Sequence, residues 1–256
     1  MADKKNKKIV KTEENLLNER KRMIGPRLSF AAAESYKLLR TNIMFSFSDD
    51  TSTEGKVIGV TSSVPGEGKS ITLLNLAYTF AESHKRVILI EGDMRLPTLS
   101  KRLKLKSAPG LSNLLVGLNS INDAIQTFST GKDGDTPVAI DVIVAGTIPP
   151  NPSELLGSAR LQSLLAILRK NYDYIFLDQP PITAVTDALI TSSSTDGTII
   201  VVRNNHTNRS ALADTMRQLK LVDARVLGFV YNGADSGGSR YYKKGYYKKD
   251  YYYKKS

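Results

Sequence analysis

The sequence predicts an α/β fold, a mostly parallel β-sheet flanked by helices. Two observations predict it. Six short apolar runs rich in β-branched residues are mostly continuous rather than alternating, as expected of strands buried on both faces. Helical stretches lie between most of these runs, and such strand–helix alternation argues for a parallel sheet covered by helices. Ligands of such sheets bind at the carboxyl ends of the strands, so the residues that follow each run are the ones to read for chemistry.

In chain order, residues 1–27 form a polar, basic N-terminal extension. From Ser29, SFAAAESYKLLRTNIMFSF reads as a helix in which Glu34, Lys37 and Arg40 recur every three residues. Taken alone, those three residues suit a solvated helix face. The expected strands are VIGVT from Val57, VILI from Val87, DVIV from Asp141, YIFL from Tyr174, TIIVV from Thr198 and RVLGFVY from Arg225. The helical stretches are SITLLNLAYTFAES, SELLGSARLQSLLAILRK and SALADTMRQLKLV. These elements give a body over residues 28–238. Residues 239–256 form a low-complexity tail, expected to be disordered.

Composition narrows the class. The chain has 256 residues, 41% of them hydrophobic, enough for a real core. Cysteine is absent, so there is no disulfide framework and no thiolate metal site. The N-terminus lacks the apolar stretch of a signal peptide, and no run approaches the roughly 20 apolar residues of a membrane span. These features predict a cytoplasmic protein. Of the net charge of +11, residues 1–27 carry +5 and residues 239–256 carry +6, which leaves the middle neutral. A DNA-binding domain carries its charge on the folded body, so nucleic acid is not the expected partner. Basic ends suit an anionic membrane face or an acidic partner equally well. His84 and His206 stand far apart, without metal-ligand spacing, and read as surface residues.

The first expected strand runs into TSSVPGEGKSITLLNLA. Glycines there let the backbone turn tightly and aim its N–H groups inward, and the following helix adds the positive end of its dipole. This is a P-loop, which makes the fold P-loop NTPase-like. It departs from the usual spacing in having Ser63 at the first glycine. Pro65, Gly66, Glu67, Gly68, Lys69, Ser70 and Ile71 are the expected nucleotide-binding positions. Lys69 reaches the β- and γ-phosphates, and the Ser70 hydroxyl ligates Mg²⁺. YDYIFLDQPP ends an apolar run in Asp178, a Walker B pattern that supplies a second metal-linked oxygen group. VILIEGDMRLP adds Glu91 and Asp93, which face the same side if the chain stays extended. One would hold the metal's water shell and the other accept a proton. Asn232 and Arg203, at strand ends, are further nucleotide-binding candidates, Asn232 toward the adenine or as a turn cap.

The chain ends in YYKKGYYKKDYYYKKS, seven tyrosines and six lysines in sixteen positions. Such a strip suits nucleic acid, anionic lipid, or an enzyme that acts on phenolic hydroxyls. Together with ESYKLLRTNI, TSSVPGEGKS, LIEGDMRLP, PGLSNLLVG, AGTIPPNPSELL and YIFLDQPPITAVTDA, it resembles the bacterial tyrosine kinases of Gram-positive capsule and exopolysaccharide clusters. The resemblance spans nearly the whole chain. It implies an ATP- and Mg²⁺-dependent protein-tyrosine kinase with Lys69, Glu91, Asp93 and Asp178 as catalytic positions. Ser70, Asp93 and Asp178 would serve the metal, and either Glu91 or Asp93 would act as base. It implies autophosphorylation in trans of Tyr241, Tyr242, Tyr246, Tyr247, Tyr251, Tyr252 and Tyr253. Each phosphate brings roughly −1.5 to −2 charge, so full modification would make the tail strongly negative.

The resemblance further implies a ring-shaped homo-oligomer assembled through Glu34, Lys37 and Arg40. It also implies a membrane-embedded activator that recruits the kinase to the inner face of the membrane, a cognate tyrosine phosphatase, and a role in polysaccharide synthesis or export. Three positions depart from the family pattern. Glu91 stands for Asp, Gln179 for Ser or Thr, and Lys37 for Arg, which removes a bidentate fork. Two rival readings are a partitioning or cell-division ATPase of the ParA/MinD kind and a nucleotide-bound scaffold without catalysis. The first expects an early loop lysine that SSVPGEGKS lacks.

Overall fold

The computed structural model describes residues 25–131 and 137–234, so the tail tyrosines from Tyr241 to Tyr253 lie outside the described residues. In chain order the elements are a short 3-10 helix Gly25–Arg27, α1 Phe30–Phe45, β1 Lys56–Ser62, α2 Lys69–Glu82, β2 Val87–Glu91, α3 Leu99–Leu103, α4 Leu111–Val116, α5 Ile121–Ala124 and β3 Ile125–Thr130. They continue with β4 Val138–Ile143, α6 Pro152–Leu156, α7 Ala159–Asn171, β5 Tyr174–Asp178, α8 Asp187–Ser192, β6 Gly197–Arg203, α9 Arg209–Leu221 and β7 Val226–Asn232. The strands form one sheet in the order β3-β4-β2-β5-β1-β6-β7. Every pairing is parallel except that of β3 with β4.

The continuous apolar runs work because side chains alternate between two buried faces. On one face Ile58, Val60, Leu89, Phe176, Ile199 and Val201 pack against Leu73, Leu76, Ala77 and Phe80 of α2. On the other, Val57, Ile88, Ile90, Ile175 and Leu177 pack against Leu161, Leu164, Leu165 and Leu168 of α7. Farther along that face, Ile200 and Val202 meet Leu219 of α9.

The helix expected from Ser29 is α1, and the Ser29 hydroxyl caps it by accepting from Ala32 N at 3.3 Å. It lies along α2, whose residues from Leu73 to Phe80 are all buried. The 3-10 helix also packs there, with Gly25 buried and its N–H bonded to Asn75 Oδ1 at 2.9 Å. Residues 25–27, read as part of the extension, therefore contact the body.

Two elements differ from expectation. The stretch SELLGSARLQSLLAILRK is two helices, because Gly157 follows α6 and Ser158 stands extended ahead of α7. Strand β3 was not foreseen. It is a half-exposed edge strand, IQTFST, with four polar residues among six, so it lacks the continuous apolar signature of its neighbours. Among the described residues no helix is long and apolar enough to cross a membrane.

Candidate functional site

The parallel pairing brings the carboxyl ends of β1, β2 and β5 together, with Val60 opposite Asp178 and Asp178 opposite Glu91. The loop after β1 turns back through Gly66 and Gly68, whose φ angles of 84° and 93° favour glycine. A side chain on Gly68 would also strike Asn232 Nδ2, which lies 2.2 Å from the position a Cβ would take. The chain then enters α2 at Lys69. Its ammonium lies 3.0 Å from Asp178 Oδ1 and 3.3 Å from Asp93 Oδ2. Ser70 donates its hydroxyl to Asp178 Oδ2 at 2.8 Å. Burial works against the charge on Lys69, but Asp178 and Asp93 more than offset it and hold its pKa above the ordinary lysine value. Lys69, Ser70, Asp93 and Asp178, predicted from three separate motifs, thus form one cluster.

Glu91 does not join it. The expectation that Glu91 and Asp93 face the same side fails because the strand ends at Glu91 and the chain turns at Gly92. The Gly92 N–H donates to Asp178 O at 2.8 Å, and its carbonyl accepts from Met94 N at 3.0 Å. Glu91 Oε1 accepts from the N–H groups of Thr98 and Leu99 at 2.5 and 2.7 Å, and Oε2 accepts from Ala145 N at 3.0 Å. The carboxylate therefore anchors the start of α3 and the chain after β4. Burial pushes its pKa above the usual range, and the backbone donors, Leu99 first, hold part of that rise back. Asp93, by contrast, turns Oδ2 to Lys69 and accepts from Leu96 N on Oδ1 at 3.1 Å.

Arg95 clamps the same loop from outside. It makes a two-pronged ion pair with the fully buried Asp187 at 2.8 and 3.1 Å, and it donates to Ser153 Oγ at 3.1 Å. Burial alone would raise the Asp187 carboxyl, but the hydrogen bonds from Arg95 and Ser153 hold it below its ordinary value. Gln179 sends its amide away from the cluster, donating to Thr191 Oγ1 at 2.8 Å and Ser192 Oγ at 3.3 Å of α8. Its Oε1 lies over β1 where a Cβ on Gly59 would stand 2.7 Å away. Gly59 is what leaves room for this glutamine.

The outer side of the P-loop is fastened by a second set of side chains. His206 Nε2 bonds Pro65 O at 2.9 Å, Arg203 Nη1 donates to Gly66 O at 3.0 Å, and Asn232 Nδ2 donates to Glu67 O at 2.9 Å. Three successive carbonyls are thereby tied outward. The Glu67 carboxylate closes the loop on itself, accepting from Val64 N at 3.0 Å and from the Thr207 hydroxyl. Arg203 and Asn232 therefore sit at the loop, bonded to its backbone. His206 is exposed as expected but is not an idle surface residue. Sequence reasoning missed it and Thr207, since the collar joins residues 65–67, 203–207 and 232 with no motif spacing among them.

Of the assembly candidates, Glu34 and Lys37 pair with each other at 2.9 Å on the exposed side of α1. Arg40 instead turns inward and donates to Thr79 O of α2 at 2.7 Å.

The oxygens of Ser70, Asp93 and Asp178 are the hard donors that suit Mg²⁺. Among the described residues no group of three or more His, Cys, Asp or Glu side chains is disposed to hold a metal alone. Phosphate oxygens and water would complete the shell, which fits Mg²⁺ arriving with a nucleotide.

Residues 55–228 match the AAA domain family model. The chain is 36% identical over 201 residues to tyrosine-protein kinase YwqD of Bacillus subtilis, covering 78% of this chain and 81% of that protein. It is 34% identical over 215 residues to the putative tyrosine-protein kinase CapB of Staphylococcus aureus, covering 83% and 90%. The solved kinase domain of Escherichia coli tyrosine kinase ETK superposes with a TM-score of 0.72 at 32% identity, covering 79% of this chain and 76% of that one.

Proposed function

Since the chain belongs to the AAA domain family and to the bacterial tyrosine-protein kinases, we propose that it transfers the γ-phosphoryl group of ATP to tyrosines of its own tail in a neighbouring copy. The protein is a tyrosine-protein kinase. The observation that carries the site assignment is the cluster in which Lys69 lies between Asp178 and Asp93 while Ser70 bonds Asp178.

Lys69 and the P-loop N–H groups neutralise the phosphates. Ser70 and Asp178, with Asp93, would hold Mg²⁺, which would supply charge neutralisation at the phosphates. Asp93 accepts the phenolic proton, because both oxygens of Glu91 are occupied by backbone donors. Glu91 supports the reaction by holding the loop that carries Asp93. Catalysis is mainly positioning and charge stabilisation. The collar of His206, Arg203 and Asn232 keeps three P-loop carbonyls turned from the phosphates.

The seven tail tyrosines, Tyr241 to Tyr253, are the acceptors in this reading, on the body that sequence reasoning bounds at residues 28–238. Glu34 and Lys37, exposed on α1, contribute to a ring of copies. A membrane-embedded activator draws the kinase to the inner face of the membrane, a tyrosine phosphatase reverses the reaction, and polysaccharide synthesis or export is the process served. The test is intact mass and phosphotyrosine mapping of the full chain expressed with its activator, beside Lys69→Ala. Phosphate on the tail that vanishes in the variant is the expected result. A bare tail with ATP still hydrolysed would favour the ParA/MinD-type reading. A bare tail with ATP bound and intact would make the protein a scaffold.

A further inference from the structure

The described residues contain five tyrosines, and four are poor acceptors. Tyr78 is buried at 7% exposure. Tyr36 is half-buried, and its hydroxyl accepts from Asn75 Nδ2 at 3.5 Å. Tyr172 donates its hydroxyl to Asp141 Oδ2 at 2.8 Å, and burial followed by that carboxylate pushes its pKa up. Tyr174 packs its ring 4.2 Å from that of Phe80, and burial again raises its pKa. Tyr231 is different. It is 59% exposed on β7, the edge strand of the sheet, and its hydroxyl donates to Asn204 Oδ1 at 2.6 Å.

That hydroxyl is also placed to matter. Asn204 opens the turn after β6, and its own N–H donates to Asn232 O at 2.9 Å. The two bonds fasten this turn to β7. Arg203, His206 and Thr207, all in or beside the turn, hold the P-loop. Asn232, the next residue after Tyr231, holds it too.

We propose that Tyr231 is a phosphorylation site on the folded body, modified by a second copy of this chain, and that phosphate there loosens the P-loop collar. The proposal rests on the kinase reading above. The Tyr231 oxygen attacks the γ-phosphorus of ATP bound to the other copy and a new P–O bond forms. The bond from that phosphorus to the β,γ-bridging oxygen breaks, and ADP leaves with its electron pair. The phenolic proton passes to Asp93 of the acting copy. The reaction is written between copies, because the Tyr231 hydroxyl is bonded to Asn204 in the turn while Lys69 and Asp178 meet on the loop's inner face. Strand β7 lies three positions from β5, which carries Asp178, or about 14 Å at the usual strand spacing. Once modified, the oxygen no longer donates, and a group of roughly −1.5 to −2 charge faces the Asn204 carbonyl oxygen. Arg203, paired in the ladder with Asn232, is the adjacent cation and is drawn from Gly66 O toward that charge.

The experiment mixes active full chain, prepared together with its membrane activator, with a mass-labelled Lys69→Ala chain, ATP and Mg²⁺, and adds a Glu-Tyr polymer as a general acceptor. The tryptic peptide Val226–Arg240 contains Tyr231 as its single tyrosine, so mapping is unambiguous. Phosphate on that peptide in the labelled chain is expected, and a Tyr231→Phe version of the labelled chain should lose it. A bare peptide while the tail or the polymer gains phosphate overturns the proposal and leaves the kinase reading standing. No phosphate on any tyrosine, polymer included, overturns both. ATP affinity of the Tyr231-phosphorylated chain should fall about tenfold against the phosphatase-treated chain, the equivalent of one lost charge-assisted hydrogen bond. Unchanged affinity would overturn the regulatory half.

Discussion

The P-loop has two faces held by opposite chemistry. Its inner face meets charge, with Lys69 between Asp178 and Asp93 and Ser70 on Asp178. Its outer face meets side chains that grip backbone carbonyls, His206 on Pro65, Arg203 on Gly66 and Asn232 on Glu67. The inner groups have partners that a nucleotide can exchange, since phosphate and metal substitute for carboxylate and ammonium. The outer bonds have no such substitute and fix the loop's shape. In the proposed reading, residues that react and residues that set the geometry for reaction lie on opposite sides of one short strip of backbone.

Substitutions can break this division. The largest effect is expected on the inner face. Lys69→Ala should lower phosphoryl transfer by about a thousandfold or more, as removal of a preorganised charge does. Phosphotyrosine mass mapping of the full chain reads it, and near-normal transfer would remove Lys69 from the mechanism. Next comes the pair that sequence grouped together. Glu91→Ala should cost about 3 kcal/mol of stability, because two buried N–H groups and one part-buried N–H group lose their acceptor. Asp93→Ala, which leaves the Lys69 ammonium its Asp178 partner, should cost less stability than Glu91→Ala and lose transfer instead. Reversed results would return the proton-accepting role to Glu91.

On the outer face the effects are smaller. Arg203→Ala and Asn232→Ala should each raise the KM for ATP about fivefold with kcat nearly unchanged, the scale of one hydrogen bond. A fall in kcat at constant KM would mean that these side chains touch the reacting atoms.

The smallest effect concerns pH. The folded pKa of Glu91 lies above its unfolded value, so its contribution is fully present below the unfolded carboxyl range and is lost as pH rises through the folded pKa. Glu91→Gln removes that dependence. The stability of wild type relative to Glu91→Gln should therefore decline from acidic toward neutral pH in denaturant titrations. A flat difference would indicate that the carboxyl titrates normally despite its burial.

What the sequence made legible follows the same division. Continuous apolar runs announced the inner strands because burial on both faces leaves little room for polar positions, β7 was announced by a similar run although it lies half-exposed at the edge, and the glycines of GEGKS announced the loop because backbone shape there demands them. Lys69, Ser70 and Asp178 followed from their positions at the ends of those elements. Strand β3 escaped because four of its six residues are polar, a composition it shares with many loops. The separation of Glu91 from Asp93 escaped because it depends on where the strand stops, and Gly92 turning onto Asp178 O is a tertiary event. His206 escaped for a related reason. Its partner lies 141 positions away in the chain, and a lone histidine carries no periodic signal.

The bond from Arg40 to Thr79 O has a mechanical consequence. It joins the outer helix to the rod whose first residue is Lys69, ten positions and about 15 Å from Thr79 at helical rise. The rod is walled in along most of its length by sheet on one side and α1 on the other, which leaves little freedom to bend. A load applied to α1 at the molecular surface therefore arrives at the ammonium as displacement, with the helix between them acting as a piston.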